Sequence, residues 1–186
     1  IGARRYRRRY RDAVHPESLI IVNTGDGKGK SSSAFGVMSR AWARGWRTGV
    51  IQFIKSEAWR TGEKKLADHL GVEWWALGDG FTWDSTDMDA TEAHGREAWT
   101  VADAKLRSGD YDLIILDEIT YTVTFGWVPV ESVLDGLRSR APHTNVVLTG
   151  RDAHPALVEL ADTVTEMRMV KHAYEAGIPA QRGIEY

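Results

Sequence analysis

The sequence contains no cysteine. Disulfides and thiolate metal sites are therefore excluded, which fits a reducing compartment. A strong charge of either sign is also missing. Lys and Arg number 24 against 26 Asp and Glu, a net charge of -2, so nothing draws the whole chain to nucleic acid or membrane. No apolar run reaches the length of a membrane span. No signal-peptide core is visible near the start, so a cytoplasmic location is expected. There is no internal repeat. The 186 residues, 42% of them hydrophobic, are enough to bury a core within one domain.

The most informative stretch is Leu19 to Ser33, LIIVNTGDGKGKSSS. A β-branched apolar run meets a glycine-rich turn, which leads into a periodic apolar pattern. Strand, glycine loop and helix in that order form a phosphate cradle. Glycine permits left-handed backbone angles, and N–H groups at a helix start attract anions. Thr24, Gly25, Asp26, Gly27, Lys28, Gly29, Lys30, Ser31 and Ser32 are the candidate ATP-binding residues. Lys30 adds a point charge, and the Ser31 hydroxyl is a candidate Mg²⁺ ligand. The P-loop pattern departs at one place, where Thr24 stands at the first glycine position.

Residues 4–11, RRYRRRYR, hold six arginines, and residues 1–17 read as a basic arm ahead of a single domain, 18–186. The arm is either a solvated terminus or a segment that meets polyphosphate or nucleic acid. Helical spacing runs from Ala34 to Arg44, with Gly45 as the stop. Strands are expected at Thr48–Ile54, Val72–Trp75, Tyr111–Glu118, Asn145–Thr149 and Thr163–Met167. Helices are expected up to Leu70, over Thr91–Ser108, around Val130–Leu137 and over Pro155–Ala161. Residues 76–90 form a long loop, and the tail beyond Val170 shows no core pattern. This alternation predicts a three-layer α/β fold of the P-loop NTPase, RecA-like kind, with a mostly parallel sheet of about six strands.

Leu113-Ile114-Ile115-Leu116-Asp117-Glu118 is an apolar strand ending in two acids. In P-loop folds such a strand is expected directly beside the first and delivers carboxylates to a metal. Mg²⁺ takes oxygen ligands, so Ser31, Glu118 and Asp117 are its candidate ligands. MgATP or a close relative is the inferred ligand. His94, His143, His154 and His172 match no ligand spacing and read as structural or surface residues.

The full set of motifs is TGDGKGKSSSAFG at 24–36, VIQFIK at 50–55, GDGFTW at 78–83, LDEITY at 116–121, TGRDAH at 149–154, LADTVTEMR at 160–168 and VKHAYEAGIPAQRGIEY at 170–186. Together they resemble the P-loop type of ATP:corrinoid adenosyltransferase of the vitamin B12 pathway. The resemblance implies that a Co(I) corrinoid attacks the 5′ carbon of ATP and that inorganic triphosphate leaves. It also implies ATP bound in a reversed sense across the loop. Lys30 would neutralise the leaving group, Ser31 and Glu118 would hold Mg²⁺, and Asp117 would support them. Arg40 matches a family position near the nucleotide. Phe81 and Trp83 match an aromatic pair beneath the corrin, where they exclude the lower axial ligand and ease reduction of cobalt. By residue type alone the pair reads as core packing. The resemblance further implies a homodimer, with the N-terminal arm over the partner's site, and a flavoprotein reductant.

Two other functions fit the loop. A nucleic-acid-stimulated ATPase would use the arm as a grip, but the chain lacks an overall basic face. A nucleotide-dependent binding module would have little need of an aromatic loop such as GFTW.

Overall fold

The computed structural model describes residues 16–56, 61–78 and 88–185. Its frame is a six-stranded sheet: β1 (Ile20–Thr24), β2 (Thr48–Gln52), β3 (Glu73–Ala76), β4 (Leu113–Asp117), β5 (Asn145–Thr149) and β6 (Thr163–Glu166). The order is β3-β2-β4-β5-β1-β6, and all five pairings are parallel. The helices are α1 (Lys30–Trp42), α2 (Gly62–Leu70), α3 (Met88–Ser108), α4 (Ile119–Thr124), α5 (Val130–Arg138) and α6 (Pro155–Leu160).

Strand periodicity explains why helices cover both faces. Successive strand residues point to opposite sides. Leu113 and Ile115 of β4 pack with Ala34, Phe35, Met38 and Ala41 of α1 and Ala67 of α2. Ile114 and Leu116 pack on the other side with Ala98, Trp99, Ala102 and Leu106 of α3 and Val133 and Leu137 of α5. Strands buried on both faces need apolar residues at consecutive positions, as β4 and β5 have.

Local signals set the helix ends. Gly45, at φ +75°, follows α1, and the Trp46 N–H returns to the Ala41 carbonyl at 3.1 Å. Thr61 caps α2 by accepting the Lys64 N–H at 3.2 Å. Helix α3 begins at Met88, three residues before the expected start. The short helix α4 follows the acids directly, where no element was expected. A single 3-10 turn, Ala173–Ala176, interrupts the tail.

One expectation is corrected. The acid-bearing strand β4 does not lie beside β1, because β5 separates them. Val146, Val147 and Leu148 of β5 are all buried. A strand apolar on both faces belongs inside the sheet, and β5 pairs with both neighbours. Among the described residues, no helix is long and apolar enough to cross a membrane.

Candidate active site

Three segments meet at the carboxyl ends of the central strands: the loop after β1, the acids ending β4 and the turn after β5. The first is the glycine loop. Gly25 and Gly29 take φ of +93° and +109°, which side chains with a Cβ resist. Crowding is a second reason for glycine. A Cβ on Gly25 would lie 2.6 Å from the Met167 carbonyl oxygen, and one on Gly27 would lie 2.7 Å from the same atom. The chain leaving β6 therefore runs hard against the loop, and the Gly27 N–H donates to the Met167 carbonyl at 2.6 Å. Gly25→Ala combines both penalties and is expected to cost about 2–4 kcal/mol of stability. Thermal melting checks this, and an unchanged midpoint would contradict the packing described.

Thr24 explains the departure from the P-loop pattern. Its hydroxyl accepts the Ala153 N–H at 3.1 Å, and its carbonyl accepts the Met167 N–H at 2.8 Å. A glycine would forgo the first of these ties.

Lys30 opens α1 and folds back into the loop, donating to the carbonyls of Gly25 at 2.7 Å and Gly27 at 2.6 Å. Burial and then the nearby Arg151 push its pKa below the usual lysine value, while Asp26 and Glu118 pull it up. An arriving phosphate would offer Nζ a charged acceptor in place of two neutral ones. Ser31 sits in the first turn of α1 and is half-buried, whereas Ser32, Asp26 and Lys28 are exposed. Lys28 forms an ion pair with Glu185 of the tail.

The two acids differ in kind. Asp117 is fully buried and its oxygens are engaged. Oδ2 accepts Gln52 Nε2 and Oδ1 accepts the Thr149 hydroxyl, each at 2.8 Å. Gln52 is itself oriented by the Trp74 indole N–H, at 3.1 Å. Glu118 takes a left-handed φ of +66°, and its N–H donates to the Thr149 hydroxyl at 2.9 Å. Burial, and then the Asp117 charge, push its carboxyl up to about 7, against the pull of Lys55, Lys30 and Arg151. A largely buried carboxyl in that state is short of positive charge. A divalent cation would supply it, and Ser31 and Glu118 are the residues that could hold one, with Asp117 as the support. Among the described residues no group of three or more His, Cys, Asp or Glu could hold a metal alone. Phosphate and water oxygens would complete such a site.

The turn after β5 was not among the expected site residues. Gly150, at φ +139°, donates its N–H to the Asn23 carbonyl at 3.2 Å. A Cβ there would strike the Thr120 hydroxyl, a buried group without a hydrogen-bond partner. With Ala153 tied to Thr24, the turn is pinned to β1 at both ends. Arg151 projects from it, and its charge is felt at Lys30, Glu118 and Tyr121. The signal was present in TGRDAH, but its use depends on β5 lying between the loop strand and the acid strand.

One expected residue, Arg40, is not brought to this cluster. Arg40 is exposed in the last turn of α1, ten residues and about 15 Å of helix rise from Lys30. Phe81, Trp83 and the arginine arm lie outside the described residues. His154 Nδ1 caps α6, and His172 Nδ1 accepts the Tyr174 N–H at 3.0 Å.

This geometry agrees with comparison to known proteins. The profile described as ATP:corrinoid adenosyltransferase BtuR/CobO/CobP matches residues 16–186. A corrinoid adenosyltransferase of Escherichia coli K12 is 43% identical over 178 residues, which is 96% of this chain and 90% of that protein. One from Pseudomonas aeruginosa is 43% identical over 170 residues, covering 90% of this chain and 83% of its own. The fold is similar to the flagellar accessory protein FlaH of Methanocaldococcus jannaschii, with a TM-score of 0.57 at 12% identity over 89% of this chain and 77% of that one. That likeness bears on the fold alone. The chain belongs to the ATP:corrinoid adenosyltransferase family BtuR/CobO/CobP, enzymes that transfer the adenosyl group of ATP to a corrinoid.

Proposed function

We propose that the protein acts chiefly on the leaving group. The nucleophile belongs to the substrate: the electron pair of a Co(I) corrinoid forms the cobalt–carbon bond at C5′ of ATP. The C5′–O bond breaks, its electrons leave on triphosphate, and cobalt becomes formally Co(III). A chain without cysteine need supply no nucleophile of its own. It must hold the 5′ carbon in line and receive the charge that develops on the departing oxygen. The observation that carries this reading is the set of cationic groups around the loop. Lys30 opens the amino end of the 13-residue α1, where the helix dipole also favours an anion, and the charges of Lys30 and Arg151 are both felt at the Glu118 carboxyl. Mg²⁺, held by Ser31 and Glu118 and steadied through Asp117, would supply further charge neutralisation.

Phe81 and Trp83 are the proposed floor of the corrinoid site, where they keep a donor from the lower axial position. The active unit is proposed to be a cytoplasmic homodimer fed electrons by a flavoprotein, with the arginine arm reaching the partner's site. Deleting residues 1–11 is then expected to raise the Michaelis constant for ATP or corrinoid several-fold. Steady-state kinetics check this, and unchanged constants would exclude a covering role.

The direct test uses ATP labelled at the 5′ carbon. The label is expected in a light-sensitive corrinoid product. Label that stays in ADP would reject adenosyl transfer and favour an ATPase.

A further inference from the structure

One level of the sheet carries a row of polar side chains. Gln52 of β2 pairs in register with Asp117 of β4, and Leu116 pairs with Leu148 of β5, which brings Thr149 level with Asp117. All three residues of the row are buried. Residues at one level of adjacent parallel strands point to the same face, a strand spacing apart. Gln52 Nε2 donates to one Asp117 oxygen and the Thr149 hydroxyl donates to the other, each at 2.8 Å.

The Thr149 hydroxyl also accepts the Glu118 N–H at 2.9 Å. A hydroxyl has a single hydrogen, and here it is committed to the Asp117 carboxylate, so an oxygen lone pair meets the N–H. One atom thus ties two consecutive acids together. Glu118 is also the point where the backbone is strained, because residues with a Cβ rarely adopt its φ of +66°. Such an angle persists only where the surroundings fix it, and the Thr149 hydroxyl fixes the N–H at that residue. We infer that Thr149 is a positioning residue: its hydroxyl sets the Glu118 backbone, and through it the direction of the Glu118 carboxyl, for the cation that neutralises triphosphate. The inference rests on the reading of Glu118 as a cation ligand. Valine at 149 would keep the branched shape a strand favours but offer neither donor nor acceptor. Glu118 would then relax toward an ordinary φ, and the cation would lose that ligand.

The test is titration calorimetry with ATP, in excess Mg²⁺ and again in a chelator, on wild type, Thr149→Val, Thr149→Ser and Glu118→Gln, each verified as folded by a melting curve. Thr149→Val is expected to bind MgATP about tenfold more weakly than wild type, the usual scale for losing the support behind a metal ligand. Its affinity for metal-free ATP should match wild type. Thr149→Ser keeps the hydroxyl and should stay within about threefold of wild type in both conditions. Added to Glu118→Gln, Thr149→Val should cost little more, because residues that act through one group are not additive. Unchanged MgATP affinity in Thr149→Val would overturn the inference. So would an equal loss with and without Mg²⁺, or full additivity with Glu118→Gln, since either marks a general role in packing. A serine variant as weak as the valine variant would also overturn it, by assigning the effect to shape. Should the valine variant not fold, Thr149→Cys, a weaker donor and acceptor, should show a smaller loss, again confined to MgATP. A Glu118→Gln enzyme that keeps its MgATP affinity would reject the cation reading itself, and the inference with it. No arm uses corrinoid, so the results stand apart from the 5′-label experiment.

Discussion

Glu118→Gln is expected to remove most adenosyl transfer and, in the same protein without nucleotide, to raise stability at pH 8. Both effects have one origin. The Glu118 carboxyl is pushed up to about 7 in the folded chain, from an ordinary value of 4.5, first by burial and then by Asp117. Between those values the folded state holds a proton that the unfolded state releases. Stability therefore falls as pH rises from about 4.5 to about 7 and stays reduced above that. The penalty is of the order of a few kcal/mol. Gln does not ionise and escapes it, so the variant should melt several degrees higher than wild type at pH 8, at about 2–4 °C per kcal/mol. Below pH 4.5 the two should converge. Activity moves the opposite way, because the amide no longer supplies the negative charge that a divalent cation needs. A loss of about 100-fold is expected. A wild type as stable as the variant at pH 8 would contradict this account of Glu118.

The second large effect is at Lys30. Its ammonium sits 2.7 and 2.6 Å from two loop carbonyls and is the cation most closely built into the loop. Lys30→Met is expected to lower the catalytic efficiency with ATP about 10²- to 10³-fold, the scale of losing one strong electrostatic contact to a developing anion. The cost in stability should be modest, because removing the ammonium also removes the desolvation that its partial burial imposes. Arg151→Gln should show a milder loss, since that side chain reaches the site from an exposed turn. A Lys30→Met enzyme that keeps a tenth of its efficiency would remove Lys30 from the central role.

What could be read from the sequence was whatever local pattern dictates. The apolar run, three glycines and Lys30-Ser31 fit a strand, a loop and a helix, and those elements are present. The four apolar residues before Asp117 form the buried strand expected of them. The missed features depend on partners far apart in the chain. Thr24 is an imperfection in the local loop pattern, and its reason lies 129 residues on, where the Ala153 N–H donates to its hydroxyl. Arg151 acquires its place only because β5 lies between β1 and β4, and two apolar strands of equal length cannot be ordered by composition. Local pattern explains glycine at 25 and 27 by backbone freedom alone, yet of the two only Gly25 takes a positive φ. Their crowding by Met167 appears only once β6 is laid beside β1. The activity itself came from the family resemblance, carried by GFTW and the tail motif, because a phosphate cradle does not say which bond of ATP breaks.

That question decides the central claim. The measurement is an anaerobic incubation with MgATP and a chemically reduced corrinoid, following the visible spectrum and the phosphorus-containing products together. The account predicts a light-sensitive cobalt–carbon product and one inorganic triphosphate for each corrinoid consumed. ADP and phosphate with an unchanged corrinoid spectrum would contradict it.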